Sequence, residues 1–252
     1  MLNFRRYGFG PTLVLQHGFL GGGGYFAPQA ARLSDFFDVI CPDLPGFAGS
    51  AAVRAEMTTP GLSRALMELL DELGVDRFSL LGHSMGGGVA LQTALDHPAR
   101  IDKLVLYGTA SAGRMPKRFE TVEETLDRIG LDSIRATAER IAATWFVEGT
   151  RAPMYEFCVA AAGEPDQAAA MEAIGNFQNW DVTERLGELE MPVLVICGDR
   201  DRSYGLEDTL AMMRRIARSQ LCVLPNCAHA AHLEAPELFT EVITHFLLLR
   251  SH

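Results

Sequence analysis

The segment Gly82-His83-Ser84-Met85-Gly86 sets a serine between two glycines, after the apolar run FSLL and before the helix-forming stretch VALQTALDH. A hydroxyl on such a strand-to-helix turn stands exposed at the top of a sheet, and the helix start favours the negative charge that develops when it attacks a carbonyl. The flanking glycines leave room for neighbouring strands and helix to approach. Such a nucleophile needs a base, and the base needs a group to orient it. Two carboxylates, Asp199 and Asp201, lie just past the apolar run of VLVICGDRDRSY. Two histidines, His229 and His232, lie in LPNCAHAAHLEAP, between a strand-like run and the last helical stretch. Local sequence does not choose between the two carboxylates. His17-Gly18-Phe19 follows the first strong strand, so the Phe19 and Met85 backbone N–H groups can point at one developing oxyanion.

These residues need elements to bring them together. Short, nearly continuous apolar runs at 13–16, 38–41, 78–81, 104–107, 193–197 and 221–224 read as strands of a parallel sheet covered on both faces. Helical stretches at 26–33, 60–73, 84–96, 205–217 and 236–249 alternate with them, the second opening on Thr59 as cap and Pro60 in the first turn. This alternation predicts an open α/β sheet. It breaks between about 112 and 181, where Ile134, Ala138, Ile141 and Trp145 share one helical face and Met154, Phe157, Cys158 and Ala161 another. Pro153 and Pro165 are expected in helix first turns. Three or four short helices inserted there predict a cap over the carboxyl edge of the sheet, within a single domain spanning 1–252.

The chain has 252 residues, 48% hydrophobic and 21% charged, which excludes disorder and is enough to bury a full core. A net charge of −10 argues against a nucleic-acid groove or an anionic membrane surface. The expectation is no secretory signal, no membrane span and a cytoplasmic protein, because apolar runs are short and the five cysteines are odd in number without a CxxC pair. Metal ligation is not expected, since Cys227, His229 and His232 lack further ligands nearby.

HGFLGG (17–22), PDLPGFAGS (42–50), GHSMGGG (82–88), HPARIDKLVLYG (97–108), MPVLVICGDRDR (191–202) and HAAHLEAPELF (229–239) together resemble the α/β-hydrolase superfamily over nearly the whole chain. The order serine, acid, histidine is that of its nucleophile system. The resemblance implies Asp201 rather than Asp199 as the acid, and His229 rather than His232 as the base, with Glu234 marking the pattern. It also implies chemistry that requires no cofactor or metal and acts on a small molecule. The sequence departs from the family in having Ala228 before the histidine and a single short stretch before HG, which suggests a trimmed leading edge of the sheet.

Ser84 stands where dehalogenases and epoxide hydrolases of the superfamily place aspartate. GHSMGG looks most like esterases and enol-lactone hydrolases. Carbon–carbon bond hydrolases usually have Asn at the position of His83, yet they are the first alternative; a non-hydrolytic ligand receptor is the second. His83 is expected to pack and hydrogen-bond, and Asp43 to organise a turn. Gly21–Gly24 reads equally as a mobile loop or a roomy turn. Trp145, Phe146, Tyr155, Phe177 and Trp180 are the candidates for substrate contact from the insert. Arg114, Lys117, Arg118, Arg135, Arg140 and Arg151 supply positive charge there, and one turned inward would select a carboxylate. Arg202 and Tyr204 are candidates for the rim.

Overall fold

The computed structural model describes residues 1–114 and 119–249. Seven strands, β1 (Phe4–Tyr7), β2 (Thr12–Gln16), β3 (Asp38–Pro42), β4 (Phe78–His83), β5 (Ile101–Tyr107), β6 (Val193–Gly198) and β7 (Ser219–Leu224), form one sheet in the order β1-β3-β2-β4-β5-β6-β7. Only β1 runs antiparallel to its neighbour; the other pairings are parallel. Six strands fall on the apolar runs of the sequence. The seventh, β1, is a second, four-residue strand before HG, where the sequence reads as a single stretch. Its sequence, FRRY, is too charged to read as a buried strand because it is an edge. There Arg6 grips the Asp38 carboxylate with two 2.8 Å hydrogen bonds.

Continuous apolar strands arise because each face of the sheet has its own core. Val14, Leu80, Leu104, Leu106, Val193 and Val195 pack to one side. Leu13, Leu15, Leu81, Val105, Leu194 and Ile196 pack to the other, as the two-residue period of a strand dictates. The helices α1 (Ala27–Leu33), α2 (Thr59–Glu72) and α3 (Met85–Asp96) follow β2, β3 and β4. The cap of α2 is Thr58, whose hydroxyl accepts the Gly61 N–H at 3.1 Å, while Thr59 is already helical and buried. This corrects the assignment of Thr59 as cap.

Between β5 and β6 the chain forms α4 (Val122–Leu131), α5 (Ile134–Ala143), α6 (Tyr155–Ala162) and α7 (Gln167–Phe177). The two ends of this helical insert lie side by side, joined by the Ala112–Asp181 bridge and by bonds from Gly113 N to Trp180 O (2.8 Å) and Val182 N to Ser111 O (2.9 Å). Pro153 and Pro165 precede their helices rather than enter first turns: Met154 caps α6, and Asp166 caps α7 by accepting the Ala169 N–H at 2.8 Å. The chain closes with α8 (Leu206–Arg214), the short α9 (Ala231–Glu234) and α10 (Pro236–Leu248). Among the described residues no helix is long and apolar enough to cross a membrane.

Strand order places the site. From β2 the chain steps outward to β3, then returns to β4 on the other side of β2. Loops leaving β2 and β4 at their carboxyl ends therefore diverge and open a crevice, the usual position for a ligand in an open α/β sheet.

Candidate active site

At the carboxyl end of β4, Ser84 adopts φ 57° and ψ −125°, a left-handed conformation costly for a residue with a Cβ. Its neighbours hold it there: the Ser84 N–H donates to Tyr107 O at 2.9 Å, and its carbonyl accepts from Thr109 Oγ1 and Gly87 N, each at 2.8 Å. A Cβ at Gly86 would lie 2.1 Å from His17 O, so the glycine is required for α3 to start beside the β2 loop. Met85 opens that helix, where backbone N–H groups lack an intrahelical acceptor.

The loop after β6 delivers Asp201. Its Oδ1 accepts the N–H groups of Ser203 (2.7 Å) and Tyr204 (3.1 Å), leaving Oδ2 to accept from His229 Nδ1 at 2.8 Å. Both side chains are 1% exposed. With Nδ1 donating, the His229 Nε2 is left as the basic nitrogen. Asp199 lies apart and accepts the Cys227 N–H at 3.2 Å. Gly108, at φ +51°, passes so close that a Cβ there would sit 3.1 Å from His229 Nδ1. His232 is also separate, fully buried with Nδ1 3.1 Å from the Tyr107 hydroxyl, and burial pushes its pKa down to about 3.

Local sequence gives no signal for the hydrogen-bond relay beneath these groups. The Gly18 N–H donates to the Tyr25 hydroxyl at 2.8 Å, and Tyr25 meets His83 Nδ1 at 2.8 Å. His83 Nε2 lies 2.9 Å from the His229 carbonyl. A carbonyl only accepts, so His83 Nε2 carries the proton and Nδ1 accepts from Tyr25. Tyr107 OH donates to the same His229 carbonyl at 2.7 Å. Burial, then the neighbouring His229 and His232, hold the His83 pKa well below that of free histidine, which keeps this relay neutral. It ties the HG loop to the histidine loop through the residue preceding Ser84. His17 accepts the Leu44 N–H at Nε2 and donates from Nδ1 to Gly18 O, each at 2.8 Å, fixing the other side of the same loop.

Ser84, Met85, Phe19 and His229 line one narrow cavity of about 30 Å³, room for about two waters. Ser203 and the buried Tyr204 also line it, with the Tyr204 ring stacked 5.8 Å from His229. The insert closes it with Phe119, Ile141, Trp145, Ile174 and Phe177. Of the five aromatic candidates, then, Trp145 and Phe177 reach the cavity. Trp180 stacks behind Phe177 at 5.6 Å and donates its indole N–H to Gln92. Phe146 and Tyr155 pack edge to face on each other, and the Tyr155 hydroxyl donates to Glu139 O, so both serve the interior of the insert. Two hydrogen bonds fasten the insert to the histidine loop, Ala230 N to Trp145 O and Val147 N to Glu234 Oε1, while the other Glu234 oxygen accepts the Ala228 N–H within that loop.

No arginine of the insert among the described residues lines this cavity; Arg140 pairs with Glu120, and Arg135 with Glu139 and Glu164. Lys117 and Arg118 lie outside the described residues. Arg202 is exposed and also absent from the lining. Asp43 is a turn organiser, accepting the N–H groups of Gly23 (2.7 Å) and Gly49 (3.1 Å). Gly21–Gly24 is a turn, buried throughout and winding into a short 3₁₀ helix before α1, but it is tight rather than roomy: a Cβ at Gly22 would meet Ala161 O at 2.3 Å and one at Gly23 would meet Cys41 O at 2.5 Å.

A mostly parallel sheet carrying these loops on its carboxyl edge defines the α/β-hydrolase class. The sequence profile of the alpha/beta hydrolase fold matches residues 11–236, and the chain belongs to that family. It is 30% identical to the 2-hydroxy-6-oxo-6-phenylhexa-2,4-dienoate hydrolase of Burkholderia cepacia, covering 97% of this chain and 92% of that one. Among solved structures it superposes on a thermophilic esterase from Thermogutta terrifontis (TM-score 0.88, 29% identity, 98% and 92% covered). It shares the fold of the enol-lactonase from Burkholderia xenovorans LB400 (TM-score 0.90, 24% identity, 98% and 96% covered). The protein is a hydrolase of the α/β family.

Proposed function

We propose that the protein hydrolyses small carboxylic esters or lactones through an acyl-enzyme on Ser84, beneath a cap formed by the insert. The observation that carries this reading is the 2.8 Å bond from His229 Nδ1 to Asp201, in a cavity that Ser84 also lines. His229 Nε2 takes the Ser84 proton as the hydroxyl attacks the carbonyl carbon. Asp201 holds the imidazole in the useful tautomer and stabilises its cation. The Phe19 and Met85 N–H groups receive the oxyanion, each worth about 3 kcal/mol by analogy with measured oxyanion holes. His229 then protonates the departing alkoxide, and a water activated by the same nitrogen releases the acid. Every proton in this cycle is handled by one histidine, so the chemistry calls for neither metal nor cofactor. The apolar lining and the likeness to an esterase support an uncharged ester. The five unpaired cysteines, four of them buried, fit a reducing compartment, the cytoplasm.

The likeness to a hydrolase of 2-hydroxy-6-oxo-6-phenylhexa-2,4-dienoate favours a second reading, cleavage of a carbon–carbon bond in a diketone-like substrate. Initial rates on p-nitrophenyl esters from acetate to octanoate, beside a vinylogous diketone, separate the two. Ser84→Ala is expected to lower ester turnover by about 10⁴-fold or more with the fold intact. Ester hydrolysis that survives Ser84→Ala overturns the nucleophile assignment. Tight binding of either substrate class without turnover would instead mark a ligand receptor.

A further inference from the structure

A second cavity, about 200 Å³, lies on the far side of Trp145 between α5 and α6. The wall between the two cavities is one residue thick. Trp145 lines both, and at two further places adjacent residues face opposite ways: Phe19 and Ile141 to the catalytic side, Leu20 and Ala142 to the other. The Trp145 backbone is fixed, its carbonyl accepting the Ala230 N–H at 2.8 Å, and its ring sits 5.8 Å from His229. Trp145 is therefore the residue the two cavities share, with its ring turned to the His229 side. Behind it the walls are small side chains such as Ala138, Ala142 and Ala162, which leave the space open.

We propose that Trp145 is the chain-length determinant of this site: it confines bound acyl groups to a few carbons, and the cavity behind it is a preformed subsite for a longer, uncharged aliphatic chain. The mouth of that cavity carries Glu139, Glu156 and Glu164 against the single cation Arg135, which is engaged by two of them. An excess of negative charge rejects a chain ending in carboxylate. The inference rests on the catalytic reading for its meaning, but not for its test.

Methyl ketones from 2-butanone to 2-decanone mimic the acyl half of an ester without being hydrolysed. Their binding is measured by titration calorimetry on Ser84→Ala with Trp145 present or replaced by Ala. With Trp145, affinity should stop rising after the first few carbons. Without it, affinity should continue to rise by about fourfold per methylene, the ordinary return on burying CH₂. Adding Ala142→Leu should cancel the gain by refilling the cavity, and 9-oxodecanoate should bind at least tenfold more weakly than 2-decanone. Equal slopes with and without Trp145, or a gain that Ala142→Leu leaves intact, overturn the proposal. Trp145→Leu serves if Trp145→Ala does not fold. Because ketone binding needs no Ser84 chemistry, its outcome stands whether or not esters are turned over. With p-nitrophenyl esters the same proposal requires the octanoate-to-acetate ratio of kcat/KM to rise at least tenfold in Trp145→Ala.

Discussion

The two walls of the cavity lined by Ser84 and His229 are built by different physics. On the sheet side nearly every polar group is held by a directional bond: Ser84 by Tyr107 and Thr109, Asp201 by two backbone N–H groups, the His229 carbonyl by both His83 and Tyr107. On the insert side Ile141, Ile174, Phe177 and the Trp145 ring present only shape, and their neighbours satisfy their polar atoms elsewhere, as Trp180 does on Gln92. Directional bonds fix positions to fractions of an ångström, which a reacting geometry needs. Apolar packing fixes volume, which selection needs. Such a division lets the insert change without disturbing the chemistry.

The largest effect that tests the division is on the sheet side. Asp201→Asn should lower kcat by about 10³- to 10⁴-fold, the scale seen when the orienting carboxylate of a serine–histidine pair is lost. Asp199→Asn should cost less than about tenfold, because an amide oxygen can still accept the Cys227 N–H. Equal losses in steady-state assays would mean that the 2.8 Å contact to His229 does not orient the base.

The sheet wall should also govern acid stability. Burial lowers the pKa of His17, His83 and His232, so the folded state resists protons that the unfolded chain takes up below about pH 6.5. Their contribution is complete above that pH and is lost as pH falls; for His232 the loss runs down to about pH 3. Urea midpoints should drop sharply from pH 7 to pH 5, and a flat profile would show that these rings are hydrated.

Much of the sheet was legible because buried parallel strands are written as short apolar runs, and the serine turn because its glycines are demanded by close contact, Gly86 with His17 O and Gly82 with Gly86 O and Ala90. β1 was not, since an edge strand with two arginines carries no apolar run. The choice between Asp199 and Asp201 needed the resemblance, as both follow the same strand. The relay was illegible for a different reason: Tyr25, His83, Tyr107 and His229 lie far apart in the chain and meet only through sheet order. On the insert, aromatic residue type did not reveal direction. Trp145 and Phe177 face the cavity and Phe146 and Tyr155 do not, whereas the aliphatic Ile141 and Ile174 do and read like any core position.

The relay offers a sharper test of the sheet wall than the reacting groups themselves. His83→Leu strands the Tyr25 hydroxyl and removes one donor from the His229 carbonyl, and should lower kcat by about tenfold with KM nearly unchanged. His83→Gln retains a donor and an acceptor and should recover much of that loss. A merely structural residue would instead lower the amount of folded enzyme, leaving kcat per folded molecule and the Gln rescue without effect.

The smallest effect belongs to the insert and bounds how far its interior is separated from the chemistry. Tyr155→Phe removes the hydrogen bond to Glu139 O, so about 1 kcal/mol of stability should be lost, readable as a lower urea midpoint. Because Tyr155 packs on Phe146 outside the cavity lining, kcat/KM should stay within about twofold. If kcat/KM instead fell tenfold at saturating stability, the position of α5 would be transmitted through Trp145 to His229, and the two walls would act as one. The two hydrogen bonds that fasten Trp145 and Val147 to the histidine loop are the route by which that would happen. Since they hold backbone rather than the Tyr155 ring, the expectation is that the coupling stops at the main chain.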